Sequence, residues 1–346
     1  MIESAIGCGI LFAALLLGVP IALAMGCVGV VGFGLIAGWD PAMAMTGQIV
    51  VDNILNYNFS ILPLFILMGN LISHAKLSDE LYSASNAFLG HRRGGLALAT
   101  IVACGGFSAL CGSSMATAAT MSKVALPSMR RYGYDGAFAA ACVAAGGTLG
   151  ILIPPSIIMI IYGFMTNADV GQLFMAGILP GILGILLYAG AVVVATRLKP
   201  SLGPPGDRTP WPERWRAVRR VWGIGLLLLF ILGGIYLGVF TPNEAAGVGA
   251  GGAFLFALLR RTLTWRKFYD VLVETVTTTA AMFFVLFGAL LFSNFLNISG
   301  GAAWLSGFVQ GLDVAPVVVI LVICLIYMIL GTMLESLSMM LLTVPI

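Results

Sequence analysis

The sequence predicts an all-α protein that crosses a membrane several times. Of its 346 residues, 60% are hydrophobic and only 9% are charged, whereas soluble domains carry about 25% charged residues. So few charges cannot cover a water-facing surface, and we therefore expect the outer surface to face lipid. The basic residues also cluster between the apolar stretches. At about 20 apolar residues per helix, the chain has room for roughly eight to eleven crossings.

Several other classes of protein are excluded by the same composition. The net charge of +3 is too small to imply a nucleic-acid partner, and no basic run is interleaved with aromatic residues. The six cysteines lie inside apolar stretches without the two-residue spacing of a metal or redox motif, so we interpret them as reduced packing residues. The N-terminus lacks a basic region and a cleavage site, so we expect residues 5–37 to remain as a helix.

The basic residues predict how the crossings are oriented, because cytoplasmic loops carry the excess Lys and Arg. All 17 basic residues fall in four clusters, at Lys76–Arg93, Lys123–Arg131, Arg197–Arg220 and Arg260–Lys267. Outer loops are expected near Asp40, Asp52 and Asp169. The predicted crossings are 5–37, 60–75, 136–165, 172–196, 222–240, 244–259 and 271–296.

Residues 94–129 do not fit a simple crossing. The stretch is apolar, but it lies between Arg93 and Arg130, which the charge rule assigns to the same side. It is shorter than the roughly 40 residues that two full crossings need, and its middle is polar and glycine-rich. We therefore predict a re-entrant hairpin with its tip at Cys111–Ser114. Non-helical backbone at that depth is tolerated only when it is buried in protein or lines a wet cavity, which makes the tip a functional candidate.

A basic, proline-rich segment at 200–220 predicts a cytoplasmic linker between two repeats, 1–199 and 221–346. The second repeat contains another apolar stretch with a polar tip, at 314–346, which follows an outer end near Asp313 and enters from the opposite side. The tip is Gly331–Ser336.

The two repeats share short sequence matches at a nearly constant offset. Phe65–Gly69 resembles Phe284–Gly288, and Ala125–Pro127 resembles Thr343–Pro345. Similar units of opposite orientation are typical of secondary transporters, whose sites form near the membrane midplane between broken helices. The predicted fold is therefore an inverted repeat with two re-entrant hairpins.

Two groups of residues predict the chemistry. The first tip carries hydroxyls, and Pro154 and Pro155 after three glycines are expected to unwind a helix. Unwinding frees carbonyl oxygens that suit Na⁺, and the helix N-termini beyond each break attract carboxylates. The predicted Na⁺ ligands are Gly112, Ser113, Ser114, Gly147, Gly150, Ile153, Pro154, Gly331 and Thr332. The predicted substrate-binding residues are Ser113, Ser114, Thr117, Thr148, Ser156, Glu335 and Ser336.

Each of these features has an alternative interpretation. Gly, Ser and Thr also let membrane helices pack closely without binding a ligand. Glu335, an acidic residue at membrane depth, is a functional candidate by default, or else part of an interfacial salt bridge. Glu244 either completes a helix cap with Thr241 or takes a gating role. A channel or scaffold is the second functional class. An intramembrane serine protease is disfavoured because both histidines, His74 and His91, fall near the inner surface.

Five motifs closely resemble the large membrane subunit of TRAP (tripartite ATP-independent periplasmic) transporters. They are Gly112–Thr120, Pro127–Asp135, Ala144–Ser156, Thr241–Ala246 and Leu337–Pro345. The resemblance extends over essentially the whole chain.

This resemblance implies an elevator-type Na⁺ symporter in the bacterial inner membrane. It also implies three partners: a small four-helix membrane subunit, a periplasmic substrate-binding protein, and a small organic acid such as a dicarboxylate, a sugar acid or a keto acid. By the family pattern, the first Na⁺ site corresponds to Ser113–Ser114 and Gly147–Pro154. No Lys or Arg lies near the predicted midplane, so hydroxyls, helix N-termini and bound cations are expected to hold the carboxylate.

By symmetry with the first repeat, a complete second repeat is expected to extend roughly 70 residues beyond Pro345. That extension would carry the counterpart of the Pro154–Pro155 break. We therefore expect the 346-residue chain to insert into membranes but not to transport alone, and we expect no small subunit fused at its N-terminus.

Overall fold

A computed structural model describes residues 2–75, 77–311, 315–332 and 334–344. These residues form helices, turns and loops without a β-strand, in agreement with the predicted all-α class. The α-helices are α1 (Ile2–Leu16), α2 (Ile21–Ala37), α3 (Trp39–Leu55), α4 (Ile61–His74), α5 (Leu77–Leu89), α6 (Gly95–Cys111), α7 (Ser114–Arg131), α8 (Gly136–Thr148), α9 (Ile157–Thr166), α10 (Val170–Leu198), α11 (Trp211–Tyr236), α12 (Pro242–Leu259), α13 (Trp265–Ile298), α14 (Gly301–Gln310), α15 (Pro316–Leu330) and α16 (Ser336–Thr343). Short 3-10 helices cover Tyr57–Ser60, Leu149–Ile151 and Pro200–Leu202.

Parts of the sequence predictions lie outside the described residues. They include Lys76 of the first basic cluster, Asp313 of an outer loop, Met333 of the second tip, Pro345 of the repeat match, and Val314 and Ile346 at the two ends of the stretch 314–346.

The chain forms two compact units, one made of Met1–Phe59 and Thr278–Ile346 and the other of Ser60–Thr277. These units differ from the predicted repeats, 1–199 and 221–346. A compact unit is defined by contacts between residues, whereas a repeat is defined by similarity of sequence. The difference in boundaries therefore does not test the repeats, which stay a prediction.

In the unit Ser60–Thr277, the core is built around α6. This helix is buried along almost its whole length and packs against α4, α5, α7, α8 and α10. A helix that is apolar all round is expected to be buried in this way. Small residues bring the neighbours close: a Cβ on Gly146 of α8 would lie 2.7 Å from Sγ of Cys104.

The stretch 94–129 forms an antiparallel helical hairpin of α6 and α7, joined at Gly112 and Ser113. Gly112 ends α6 in the left-handed conformation, with φ of 62°, which favours glycine. The open ends of the hairpin lie together, because the Leu96 amide donates to the Tyr134 hydroxyl at 3.1 Å. That the hairpin re-enters the membrane instead of crossing it stays a prediction.

The prediction of one continuous helix over residues 5–37 is wrong. The structure has two helices, α1 and α2, separated at Gly18, which has φ of 81°, and at Pro20. The left-handed glycine turns the chain, and proline has no amide hydrogen to continue the helix. The stretch around Asp40 and Asp52, predicted as an outer loop, is the helix α3.

The predicted linker at 200–220 is helical in its second half, where α11 begins at Trp211. Pro212 and Glu213 in the first turn favour a helix start. Residues 199–210, here called the strap, cross the open end of the α6–α7 hairpin. Within the strap, the Gly203 carbonyl accepts from the Gly94 amide and the Gly206 amide donates to the Gly90 carbonyl, both at 2.9 Å.

Two helices in the described part of the chain are each long and apolar enough to cross a membrane alone, α10 and α13, or up to four if two bent helix pairs each count as one span. Most other apolar stretches are broken into helices of 10–17 residues. Broken helices explain why this number is below the eight to eleven crossings that composition allows.

The capping role predicted for Glu244 is confirmed. The Thr241 hydroxyl accepts from the Glu244 amide at 3.3 Å, and the Glu244 carboxylate accepts from the Thr241 amide at 2.8 Å. These reciprocal bonds form a capping box at the start of α12.

Candidate functional site at two helix breaks

Two helix breaks meet inside the unit Ser60–Thr277. The first is the turn between α6 and α7. The second, residues 152–156, separates the 3-10 turn after α8 from the start of α9. The two breaks are hydrogen-bonded directly, since the Ile157 amide donates to the Gly112 carbonyl at 3.3 Å. This junction, residues 112–114 with 147–157, is called the crossing below.

Glycines allow the two backbones to touch at the crossing. A Cβ at Gly150 would lie 2.6 Å from the Ser113 carbonyl oxygen, and one at Gly147 would lie 2.7 Å from Cβ of Ala118. Real side chains do not tolerate contacts this short, so glycine at both positions follows from the packing.

Carbonyl oxygens at the second break lose their usual helical donors. Pro154 has no amide hydrogen to offer Gly150, and Pro155 has none for Ile151. The Ser156 hydroxyl replaces the second donor, bonding the Ile151 carbonyl at 2.9 Å. Oxygen atoms freed from helical hydrogen bonds are the ligands that unwound transporter helices offer to Na⁺.

Helix dipoles of both signs also converge at the crossing. The helices α7 and α9 begin here, while α6 and the turn after α8 end here. Each N-terminus carries a partial positive charge and each C-terminus a partial negative charge of about half a unit. The crossing therefore combines partial positive and partial negative charges within one junction.

Most of the residues predicted for the first half of the site lie at the crossing. Ser113 is the N-cap of α7, and its hydroxyl accepts from the Ala116 amide at 3.4 Å. Thr117, fully buried one turn further on, donates its hydroxyl to the Ser113 carbonyl at 2.8 Å. Ser156 is also fully buried. The predicted members at the crossing are Gly112, Ser113, Ser114, Gly147, Gly150, Ile153, Pro154 and Ser156.

Two of the predicted side chains are engaged elsewhere. The Thr148 hydroxyl bonds the Ala145 carbonyl at 2.7 Å and the Tyr188 hydroxyl of α10 at 2.9 Å. The Ile153 side chain packs toward Gly181 of α10, where a Cβ would lie 2.7 Å from its Cγ1. Only backbone atoms of Ile153 are therefore available at the crossing.

The family is decided by comparison with known sequences. The sequence model described as tripartite ATP-independent periplasmic transporter, DctM component, matches residues 8–346. The chain belongs to this family. The resemblance inferred from the motifs is thereby confirmed.

Curated relatives of this DctM-family chain carry different substrates in their names. The C4-dicarboxylate TRAP transporter large permease protein DctM of Pseudomonas aeruginosa is 37% identical over 293 residues, 84% of this chain and 68% of the relative. The sialic acid TRAP transporter large permease protein SiaM of Vibrio cholerae is 32% identical over 300 residues, 86% of this chain and 70% of the relative. The ectoine/5-hydroxyectoine TRAP transporter large permease protein UehC of Ruegeria pomeroyi is 30% identical over 339 residues, 96% of this chain and 77% of the relative. Membership of the family alone therefore does not fix the substrate.

The second predicted tip of this DctM-family chain belongs to the other compact unit. Gly331 and Thr332 follow α15, and the Thr332 hydroxyl donates to the Ile329 carbonyl at 2.7 Å. Glu335 occupies the N-cap position of α16 without capping it, and Ser336 begins that helix. The Tyr327 and Thr343 hydroxyls are hydrogen-bonded, which ties α15 to α16.

Two residues beside the crossing were missed in the sequence. The Ser108 hydroxyl is completely buried without a hydrogen-bond partner among the described residues, one turn before Gly112. Gly69 of α4 packs against the hairpin tip, where a Cβ would lie 3.2 Å from Cα of Cys111. Two sequence features could have identified these residues: for Ser108, a hydroxyl four residues before the turn, and for Gly69, the polar neighbour Asn70. Asn70 bonds the Thr275 hydroxyl at 3.0 Å.

Proposed function

We propose that this protein is the large permease subunit of a carrier that takes up a small organic acid together with Na⁺ across the bacterial inner membrane. The observation that carries the proposal is the direct contact of two helix breaks, Ile157 amide to Gly112 carbonyl at 3.3 Å. Transporters bind substrates and coupling ions where discontinuous helices meet. The named relatives are permeases and not enzymes.

The chemistry of the crossing supports a division of roles. Na⁺ is bound by the backbone carbonyls near Gly147, Gly150 and Pro154 together with the Ser113 and Ser114 hydroxyls, since hard cations prefer oxygen ligands. The substrate carboxylate is bound by the N-terminal backbone amides of α7 and α9. The chain has no Lys or Arg from residue 132 to residue 196. Bound Na⁺ and helix N-termini therefore offset the negative charge of the substrate.

For the second tip we propose the same chemistry, with the Gly331 and Thr332 backbone binding Na⁺ and the Glu335 and Ser336 side chains binding substrate. In this proposal the repeats 1–199 and 221–346 have opposite orientations in the membrane, and each contains a re-entrant hairpin. The linker 200–220 allows the part of the protein that holds the substrate to move across the membrane, as in an elevator mechanism. Inverted repeats move around a fixed midplane site in this class of carrier.

Three partners belong to the proposal. A periplasmic substrate-binding protein delivers the organic acid, and a small four-helix membrane subunit completes the permease. Relatives named for C4-dicarboxylate and sialic acid support a carboxylate substrate.

The Na⁺ role is tested by Ser113→Ala and Ser114→Ala. Each change removes one oxygen ligand, and we expect the Na⁺ concentration for half-maximal uptake to rise by on the order of tenfold. The measurement is uptake into proteoliposomes by the full-length protein with its small subunit and binding protein, with choline replacing Na⁺. Ser122→Ala in the same helix is the control, because that hydroxyl bonds the Ala119 carbonyl at 2.7 Å.

Unchanged Na⁺ dependence in both serine variants would move the ion site away from the crossing. Counterflow separates the proposal from its alternative: a carrier exchanges labelled for unlabelled substrate, whereas a channel or scaffold subunit does not.

A further inference from the structure

The first half of α11 presents a line of exposed tryptophans. Trp211, Trp215 and Trp222 are 61%, 60% and 64% exposed, and Val218 between them is 37% exposed. At 3.6 residues per turn, these four side chains lie within about 60° of one another around the helix. This line is called the indole stripe. Exposed indoles in a row are typical of a surface that contacts another molecule or a membrane interface.

Charges around the stripe are distributed unevenly. Arg219 lies next to the indole stripe on the helix surface, and Arg216 lies further around the helix in the same direction. Both side chains are exposed. Arg220 and Glu213 lie on the opposite side of the helix. The exposed stripe therefore has Arg219 along one edge and Arg216 beyond it, and Glu213 lies one turn before Arg216 on the side away from the stripe.

The orientation of the stripe is fixed by Arg214. This residue is only 8% exposed, its Nε donates to the Thr209 carbonyl at 3.0 Å, and its guanidinium lies 5.7 Å from the Phe88 ring centroid. Because Arg214 holds α11 on α5 and the strap, the indole stripe points outward.

The position of the stripe matches a membrane–water boundary. The basic cluster Arg197–Arg220 is cytoplasmic by the charge rule, and α11 bends by 43° between Trp211–Gly223 and the apolar Gly225–Tyr236. Tryptophans concentrate at membrane interfaces, and basic clusters next to the cytoplasmic end of a membrane helix attract anionic lipid.

We propose that Trp211–Trp222 is a binding surface for anionic phospholipid. The Arg216 and Arg219 guanidiniums contact the lipid phosphates, and the indole stripe enters the boundary between headgroups and acyl chains. The strap joins this surface to the open end of the α6–α7 hairpin through Gly203 and Gly94. The surface is distinct from the crossing and does not depend on the transported substrate.

The test is native mass spectrometry of the purified protein titrated with dioleoyl phosphatidylglycerol or dioleoyl phosphatidylcholine. We expect the unaltered protein to bind phosphatidylglycerol more tightly, and Arg216→Gln/Arg219→Gln to reduce that preference about fivefold or more. The variant Arg216→Lys/Arg219→Lys keeps the positive charge and should retain most of the preference for phosphatidylglycerol. If the double glutamine variant does not fold, Arg219→Gln alone should give a smaller loss of the same kind.

Arg130→Gln/Arg131→Gln is the matched control, since it removes the same charge from exposed positions at the end of α7, a helix without tryptophan. It should leave the preference unchanged. Trp215→Leu/Trp222→Leu should weaken binding of both lipids without changing their ratio. An equal loss in the control pair, or an unchanged ratio in both Arg216 and Arg219 glutamine variants, would overturn the proposal.

Discussion

Replacing Pro154 and Pro155 together by alanine should abolish Na⁺-driven uptake. Alanine restores the amide hydrogens that the prolines lack, so the Gly150 and Ile151 carbonyls can return to helical hydrogen bonds. The helix would then continue through the break, and the oxygen ligands proposed for Na⁺ would be withdrawn. We expect uptake by the full-length protein with its partners to fall by at least about a hundredfold, a loss of about 2.7 kcal/mol of ion and substrate binding.

Pro180→Ala is the control for this change, because Pro180 lies inside the unbroken helix α10. That variant should retain most of its uptake. Size-exclusion profiles separate loss of the site from loss of folding. Uptake and Na⁺ dependence near those of the unaltered protein in a folded Pro154→Ala/Pro155→Ala variant would show that the break is not the ion site.

Replacing Gly150 by alanine should destabilise the protein and impair uptake together. The new methyl group would lie 2.6 Å from the Ser113 carbonyl oxygen and 2.8 Å from the Ser114 amide nitrogen. Overpacking of this kind costs about 1–3 kcal/mol, because the α6–α7 turn must move away from the second break. The expected result is a lower unfolding temperature in detergent and a higher Na⁺ requirement for uptake.

Gly190→Ala provides the matched comparison, since a Cβ at Gly190 of α10 meets nothing within 4 Å. Alanine there should be neutral or stabilise the helix by up to about 1 kcal/mol. A similar fall in unfolding temperature for both variants would contradict close backbone packing at the crossing.

Local chemistry made the main features of the crossing predictable. Arg93 and Arg130 mark the two ends of the hairpin, Gly112 supplies the left-handed turn, and Pro154–Pro155 end a helix because proline lacks an amide hydrogen. Each feature depends on one or two residues whose conformational limits hold in any protein. The start of α12 was predictable for the same reason, from Thr241 and Glu244.

Features that depend on tertiary contact were not predictable. Helices α1 and α2 are apolar from Ala5 onward, so composition did not reveal the break at Gly18. The bond of the Thr148 hydroxyl to Tyr188 depends on how α10 packs, and the substrate role of Thr148 stays a prediction. The start of α11 was missed because basic residues and prolines also suit a linker, and only packing of Arg214 on Phe88 distinguishes the two.

Binding of Na⁺ by the purified protein is measured most directly as its unfolding temperature in matched concentrations of NaCl and KCl. A ligand that binds only the folded state raises that temperature, so we expect unfolding several degrees higher in NaCl. The difference should disappear in Pro154→Ala/Pro155→Ala and persist in Pro180→Ala. Equal unfolding temperatures of the unaltered protein in the two salts, or a Na⁺ effect that survives in the folded double variant, would contradict a Na⁺ site at the crossing.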